Sequence, residues 1–417
     1  RIQQYYRTVF TKLVNSIKLF ERGGFMRHSR TIILALLAIM AVSIFAAGGI
    51  AVTDKISLVI LPAKIGSGWN MDEVDYLLSI MEEQALELGR FQLFPRADLQ
   101  QIMKERNMSE FGVSDAIEIG KLGGSKYALL LTLTELSSAW SDKSKSYEAT
   151  SRYTIKLYNI ENGELLASKT MESSGSSKDT GQKAITDALK STASSIWLEL
   201  REIFKLEAYV KSVSGNNVVL AGLDPKLAQR GFIFEIETSS GGIGYVKVTG
   251  YNKADGTVVT KFMYGEKPMQ YDIATEYPTP GIHAGLGIST FSGMFGLGIS
   301  AWTDGSDSTI PLPIYVGVGT FLGSILSHTP AYVELGAGFK LLEMGRIGVL
   351  VNGGISIIGL FDLDTSDVIG MLYGAFAGGM LTYEFNPSLG IYGSAGYSMY
   401  LSDDGLSGLS VQLGIYF

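Results

Sequence analysis

The chain of 417 residues has no Cys, three His, ten Pro and only 18% charged residues. Without Cys it can build no disulfide framework, thiolate zinc site, cysteine nucleophile or lipid-modified N-terminal Cys. His28, His283 and His328 leave few ways to assemble a histidine-rich metal site or a Ser/His/Asp triad. Base is scarcer than acid, with a formal net charge of -7, which argues against a nucleic-acid partner. What is plentiful is glycine, 50 residues of it, together with 46% apolar residues. That combination is what a membrane β-barrel would add to an ordinary globular chain.

The glycine is concentrated. Residues 281–417 hold 27 of the 50 Gly, about half of them in a third of the chain. The same stretch holds two basic residues, Lys340 and Arg346, and ten acidic ones, a balance of -8 that leaves +1 for the remainder. The C-terminal third therefore reads as a separate architectural unit. At the other end, Met26 opens a positive head (Arg27, Arg30), an apolar run from Thr31 to Ala47 and the small residues Gly48, Gly49 and Ala51. This is the three-part pattern of a secretory signal peptide, expected over residues 26–51, with residues 1–25 expected to be untranslated leader.

Past the signal, Ile56–Leu61 reads as a buried strand ending at Pro62. Val74, Leu77, Leu78, Met81, Ala85 and Leu88 give a helical rhythm over Met71–Gly89, followed by a strand at Phe91–Phe94. Helices are expected from Ala97 and from Ser114 to the Gly123-Gly124 pair, then strands at Tyr127–Leu136, Ser151–Asn159 and Leu165–Met171, and one long helix from Asp179 to Lys205. The expected architecture is an α/β sandwich over residues 54–205.

Three strings in this unit carry a resemblance: Gly89-Arg90-Phe91 before a strand, Leu99-Gln100-Gln101-Ile102, and the run from Ala116 through Gly123-Gly124 to Leu129. They resemble the periplasmic α/β domain of the curli-transport (CsgG-type) family and the similar domain of outer-membrane activators of penicillin-binding proteins. The resemblance implies a periplasmic docking domain. Those families are typically lipoproteins, whereas this chain has no Cys to lipidate. The curli channel also inserts membrane hairpins within this domain, and residues 130–175 are too polar and too short to supply them, so the resemblance does not carry a secretion channel with it.

Residues 206–278 show short alternating runs split by Gly, Asn and Asp turns, the pattern of a small β-barrel or sandwich of about five strands. Gly241-Gly242-x-Gly244 lacks the following helix and Lys-Ser/Thr of a phosphate loop and reads as a turn.

From Gly281 to Phe417 the sequence falls into eight runs, each with one apolar face. In the last, Leu409, Val411, Leu413, Ile415 and Phe417 alternate with Ser410, Gln412, Gly414 and Tyr416. The second face is mostly Gly, Ser and Tyr, too small and uncharged for bulk water but suited to the inside of a narrow barrel, where Gly makes room for Tyr on neighbouring strands. Tyr315, Phe321, Tyr332, Tyr392 and Tyr400 are expected to fill it, with Trp302, Tyr383, Tyr400 and Tyr416 expected at the membrane interfaces. The C-terminal Leu413, Ile415 and Phe417 resemble the insertion signal of bacterial outer-membrane barrels, which implies the barrel-assembly machinery as a partner. Glu334, Lys340 and Arg346 are expected as barrel-interior charges, each needing a partner, with Arg346 the candidate for Glu334.

Asp362-Leu363-Asp364-Thr365-Ser366-Asp367 lacks the Gly and distal Glu of a calcium loop, and no cofactor, metal or catalytic constellation is expected. The sequence thus reads as an α+β multidomain, non-enzymatic outer-membrane protein. An eight-stranded antiparallel transmembrane barrel at residues 281–417 anchors periplasmic domains for docking in envelope assembly or secretion, with outer-membrane lipid and periplasmic proteins as partners. The rival reading is a homo-oligomeric transport or secretion channel.

Overall fold

The computed structural model describes residues 50–62, 71–105, 112–142, 144–303, 313–322, 329–361, 368–401 and 407–417. The expectations for the leader, for the signal segment up to residue 49, and for His28, His328 and the acidic connections at 304–307, 362–367 and 403–404 concern residues outside these. Among the described residues there are five helices and nineteen strands in three sheets.

The first sheet has the order β2-β1-β3-β4-β5, built from β1 (Ile56–Pro62), β2 (Phe91–Leu93), β3 (Tyr127–Ser141), β4 (Ser146–Asn159) and β5 (Leu165–Ser177). β1 runs parallel to β2 and β3, and β3, β4 and β5 are antiparallel, so the sheet is mixed. Helices cover both faces. α1 (Met71–Leu88), α4 (Gly181–Lys190) and α5 (Thr192–Ile203) lie on one side, while α2 (Arg96–Glu105) and α3 (Val113–Leu122) bury Leu99, Ala116 and Ile119 against Val59, Leu61 and Leu130 on the other. The apolar stripe of α1 is buried as its spacing predicts, with Leu77, Met81 and Ala85 fully inaccessible.

The long helix expected from Asp179 to Lys205 is two helices. The break falls at Ser191-Thr192, where Ser191 Oγ donates to the Ala188 carbonyl at 2.8 Å and Thr192 Oγ1 to the Leu189 carbonyl at 2.6 Å. These side chains take carbonyls that a continuous helix would bond with backbone amides.

The second sheet is a closed six-stranded barrel in the order β10-β7-β6-β11-β8-β9. It comprises β6 (Glu207–Ser214), β7 (Asn217–Ala221), β8 (Ile233–Glu237), β9 (Ile243–Asn252), β10 (Thr257–Gly265) and β11 (Ile273–Tyr277). The extra strand, β11, closes the sheet between β6 and β8. Its five residues, Ile273-Ala274-Thr275-Glu276-Tyr277, show no apolar alternation, too weak a signal to read in isolation. Phe234, Ile236, Val210 and Val246 fill this barrel and are continuous with the core under α1 and α5.

The third sheet is a closed eight-stranded antiparallel barrel of consecutive hairpins. Its strands are β12 (His283–Phe291), β13 (Met294–Trp302), β14 (Ile314–Leu322), β15 (Thr329–Met344), β16 (Ile347–Phe361), β17 (Val368–Asn386), β18 (Leu389–Leu401) and β19 (Ser407–Tyr416). β12 pairs with β19 from Gly285↔Tyr416 to Phe291↔Ser410 and closes the wall, and Ala284 and Phe417 exchange backbone hydrogen bonds at the seam. The turns at 345–346 and 387–388 lie at one end of this barrel, here called proximal; the turn at Ser292-Gly293 lies at the distal end.

Candidate functional site

The candidate functional surface of this chain is the wall of the eight-stranded barrel together with its proximal junction. Each strand has at least nine residues, the length an inclined strand needs to cross a bilayer core of about 30 Å. Side chains on successive residues point to opposite sides. The outward set includes Ile288, Phe295, Val318, Leu335, Ile355, Leu381, Met399 and Leu413, so all eight strands contribute exposed apolar groups to one belt. Leu413 is 65% exposed and Ile415 41%, whereas their neighbours Gln412 and Tyr416 are buried. A belt of this extent is far beyond what a water-facing surface ordinarily shows. No helix among the described residues is long and apolar enough to cross a membrane.

The inward face is packed. Tyr315, Phe321, Tyr332, Tyr392 and Tyr400, the five rings expected there, are all buried. Glycine makes the room: a Cβ on Gly285 or on Gly414 would stand 2.7 Å from Tyr392 Cε1, and one on Gly287 would stand 2.9 Å from Tyr392 Oη. Trp302, Tyr392 and Tyr416 form an aromatic layer at the proximal end, with His283 stacked on Trp302 at 5.6 Å; Phe291, Phe321, Tyr332 and Tyr400 form another nearer the distal end. Between them lies a space of about 40 Å³ bordered by Tyr315, Tyr332, Glu334, Asn352 and Gln412, the scale of a few water molecules.

Trp302, Tyr400 and Tyr416, expected at the membrane interfaces, therefore face the interior, because their parity along each strand is that of the Gly/Ser face. Tyr383 is outward and packs edge-on against Phe385 at 5.6 Å near the proximal end, while Phe295 and Tyr373 are outward toward the distal end.

The three charges separate. Tyr315 donates its hydroxyl to Glu334 Oε2 at 3.4 Å. Lys340 Nζ meets Glu343 Oε1 at 3.2 Å near the proximal mouth, beside a bulge between Lys340 and Leu342. Arg346 does not pair with Glu334 and is not an interior charge. Ten residues of extended strand from Glu334 to Met344 put about 33 Å between the acid and the turn that carries Arg346. Arg346 Nη1 instead donates to the carbonyls of Glu384, at 2.9 Å, and Phe385, and its guanidinium lies 4.8 Å from the ring centre of Tyr264 in the six-stranded barrel.

This contact belongs to a junction that sequence reasoning missed. Tyr245, Tyr264 and Tyr277 pack as a ring cluster on the outer wall of the six-stranded barrel, with centroids 5.3 and 5.8 Å apart, and Tyr245 donates its hydroxyl to Glu235 at 2.8 Å. Burial, then the Glu235 hydrogen bond and charge, push the Tyr245 phenol up; burial, then the Glu384 charge, push Tyr264 up, so both rings stay neutral in the contact. Tyr245 and Tyr277 have outward parity, the signal available, whereas Tyr264 shares the parity of the buried Val258 and Thr260 and comes to the outer wall only through the bulge between Phe262 and Tyr264. An Arg346→Ala variant is expected to leave the eight-stranded barrel folded but to speed protease cleavage of the 278–282 connection severalfold, measured by limited proteolysis in detergent.

A second missed constellation ties the α/β layer to the six-stranded barrel. Glu276 of β11, Arg90 before β2 and Arg201 of α5 are all buried. Arg90 Nη2 and Arg201 Nε both donate to Glu276 Oε1 at 2.8 Å, the Leu206 amide donates to Oε2 at 3.2 Å, and Arg90 Nη1 and Arg201 Nη1 reach the carbonyls of Phe204 and Thr279. Burial pushes the Glu276 carboxyl up, but the Arg90 and Arg201 charges and the hydrogen bonds outweigh it, and the net direction is down.

No protein-family model matches the sequence, and no curated protein does. Solved structures similar to parts of the chain include lipoprotein GNA1162 of Neisseria meningitidis, 16% identical over 34% of this chain and 97% of that one, with a TM-score of 0.27. The N-terminal β-barrel domain of Pseudomonas aeruginosa OprF is 13% identical over 33% of this chain and 96% of that one, with a TM-score of 0.26. The C-terminal domain of Salmonella enterica LpoB is 18% identical over 30% and 86%, with a TM-score of 0.22. Likenesses at these scores concern parts of the chain. The CsgG-type resemblance of residues 54–205 stands on its quoted strings alone.

Proposed function

We propose that the chain is a non-enzymatic outer-membrane protein whose eight-stranded barrel anchors the six-stranded barrel and a CsgG-like α/β layer on the periplasmic side, where they dock partners in envelope assembly or secretion. One observation carries the reading: a closed barrel with an apolar belt on every strand outside and an interior filled by Tyr packed against Gly. A wall of that kind is stable in lipid because closure leaves no unpaired strand edge. A filled lumen favours an anchor over a channel. The signal segment at residues 26–51 and the C-terminal Leu413, Ile415 and Phe417 fit export and insertion by the barrel-assembly machinery, and the absence of Cys fits a chain held by its strands in place of a lipid.

Planar-bilayer recording tests anchor against channel. Purified protein is expected to give no stepwise conductance; reproducible steps that persist on dilution would favour a homo-oligomeric pore. Leu413→Arg on the outward face is expected to cost about 2 kcal/mol or more of barrel stability, read as a lower urea midpoint in vesicles.

A further inference from the structure

We infer that the outer wall of the six-stranded barrel is a membrane-surface platform that rests on the lipid headgroups around the anchor. The inference rests on the membrane reading of the eight-stranded barrel. Its basis is a row of exposed apolar side chains continuous with the junction. Cross-strand pairing sets Ile243, Glu237, Ile273 and Tyr209 side by side on β9, β8, β11 and β6. Ile243, Ile273 and Tyr209 are exposed, and Met269 and Tyr271 extend the patch, with Tyr271 stacked on Tyr209 at 6.4 Å between ring centres.

Parity links this row to the junction. Ile243 is two residues from Tyr245 on β9, about 7 Å, and Ile273 is four from Tyr277 on β11, about 13 Å, so each pair shares one side of its strand. Tyr245 and Tyr277 belong to the ring cluster that includes Tyr264, the residue under Arg346 at the proximal end. The row therefore belongs to the wall that meets the proximal end of the eight-stranded barrel, and what surrounds that end in a membrane is headgroup.

Tyr271 adds a second observation. It holds φ 74, a left-handed backbone conformation strained for an aromatic residue, and it is 70% exposed. The buried Asp272 carboxylate fixes the turn, accepting from the Met269 amide at 2.7 Å and the Ser239 amide at 3.0 Å. The stack on Tyr209 covers one side of the ring and leaves the rest exposed, and Tyr is favoured at the water–lipid boundary. Glu237 within the row and Lys267 beside Met269 set the depth: charges stay hydrated among headgroups and would not in the acyl chains.

The chain has no Cys, so single-cysteine variants can be labelled without background. Met269→Cys and Ile273→Cys would each carry an environment-sensitive fluorophore in the full chain, reconstituted into phosphatidylcholine–phosphatidylethanolamine vesicles, with Leu413→Cys as the barrel reference. The expected result is a blue-shifted emission at 269 and 273 that headgroup nitroxide lipids quench more strongly than chain nitroxides, while Leu413 is quenched by chain nitroxides. A water-like, unquenched spectrum at 269 and 273 with Leu413 quenched would overturn the platform and leave the anchor standing. A blue shift without quenching would also overturn it, showing a protein cover such as a second copy. An unquenched Leu413 would remove the anchor reading and the platform with it.

Discussion

Replacing Glu276 with Ala is expected to lower the stability of the α/β layer and the six-stranded barrel by about 3–5 kcal/mol. The substitution leaves Arg90 and Arg201 facing each other in a dry interior, both essentially inaccessible to solvent. An uncompensated buried guanidinium is costly because its attraction to the carboxylate is what offsets desolvation. The check is urea unfolding of the full chain in micelles, followed through Trp197, whose ring lies 4.4 Å from the Arg201 guanidinium. A midpoint about 1–2 M lower is expected. The triple variant Arg90→Met, Arg201→Met, Glu276→Leu should recover most of the loss, since apolar replacement of a whole buried ion cluster is often neutral or better. The pH dependence has a definite sign. The folded Glu276 carboxyl lies below its ordinary value of 4.5, so its stabilisation is complete above that value and is lost as pH falls below it toward the folded pKa. Acid should thus loosen the α/β layer from the six-stranded barrel, and Glu276→Ala should abolish that part of the acid response.

Gly414→Ala is expected to prevent the eight-stranded barrel from closing. The added Cβ would sit 2.3 Å from the Leu286 carbonyl oxygen and 2.7 Å from Gly287 Cα, both backbone of the paired strand β12 that can move only by opening the β12–β19 seam, and 2.7 Å from Tyr392 Cε1 on β18. Overpacking a well-filled interior costs about 1–3 kcal/mol even where side chains can shift, and here backbone is the obstacle. Gly379→Ala is the control: its nearest neighbour is the Leu350 carbonyl at 3.7 Å, an ordinary contact. The folded fraction on an unheated gel should fall sharply for Gly414→Ala and stay near the parent for Gly379→Ala.

These two sites mark how far the sequence could be read. The barrel was legible because its signal is local: a period of two, Gly and Tyr on one parity and Leu, Ile and Val on the other, repeated over eight runs. The five rings placed inside it follow from parity alone. The error over Trp302, Tyr400 and Tyr416 came from setting residue type above parity, since an aromatic near a strand end suits either face. The Arg90–Glu276–Arg201 cluster was not legible, because its members sit 75 to 186 positions apart and the Gly89-Arg90-Phe91 string that marks one of them points to no partner. The pairing of Glu334 with Arg346 fails for a simpler reason: about 33 Å of extended strand separates the acid from the turn that carries the base. The split between α4 and α5 turned on Ser191-Thr192, two hydroxyls that compete for helix carbonyls, within a stretch whose apolar rhythm is otherwise unbroken.

The central claim is that residues 281–417 fold as a barrel in lipid, and gel mobility tests it most directly. Membrane extracts of the full chain are run with and without boiling beside a chain lacking Phe417, whose backbone pairs with Ala284 at the seam. The account predicts that the protein needs detergent for extraction, that the unboiled full chain migrates apart from the boiled one, and that loss of Phe417 diminishes the folded band. A chain soluble without detergent, with one mobility before and after boiling, would contradict it.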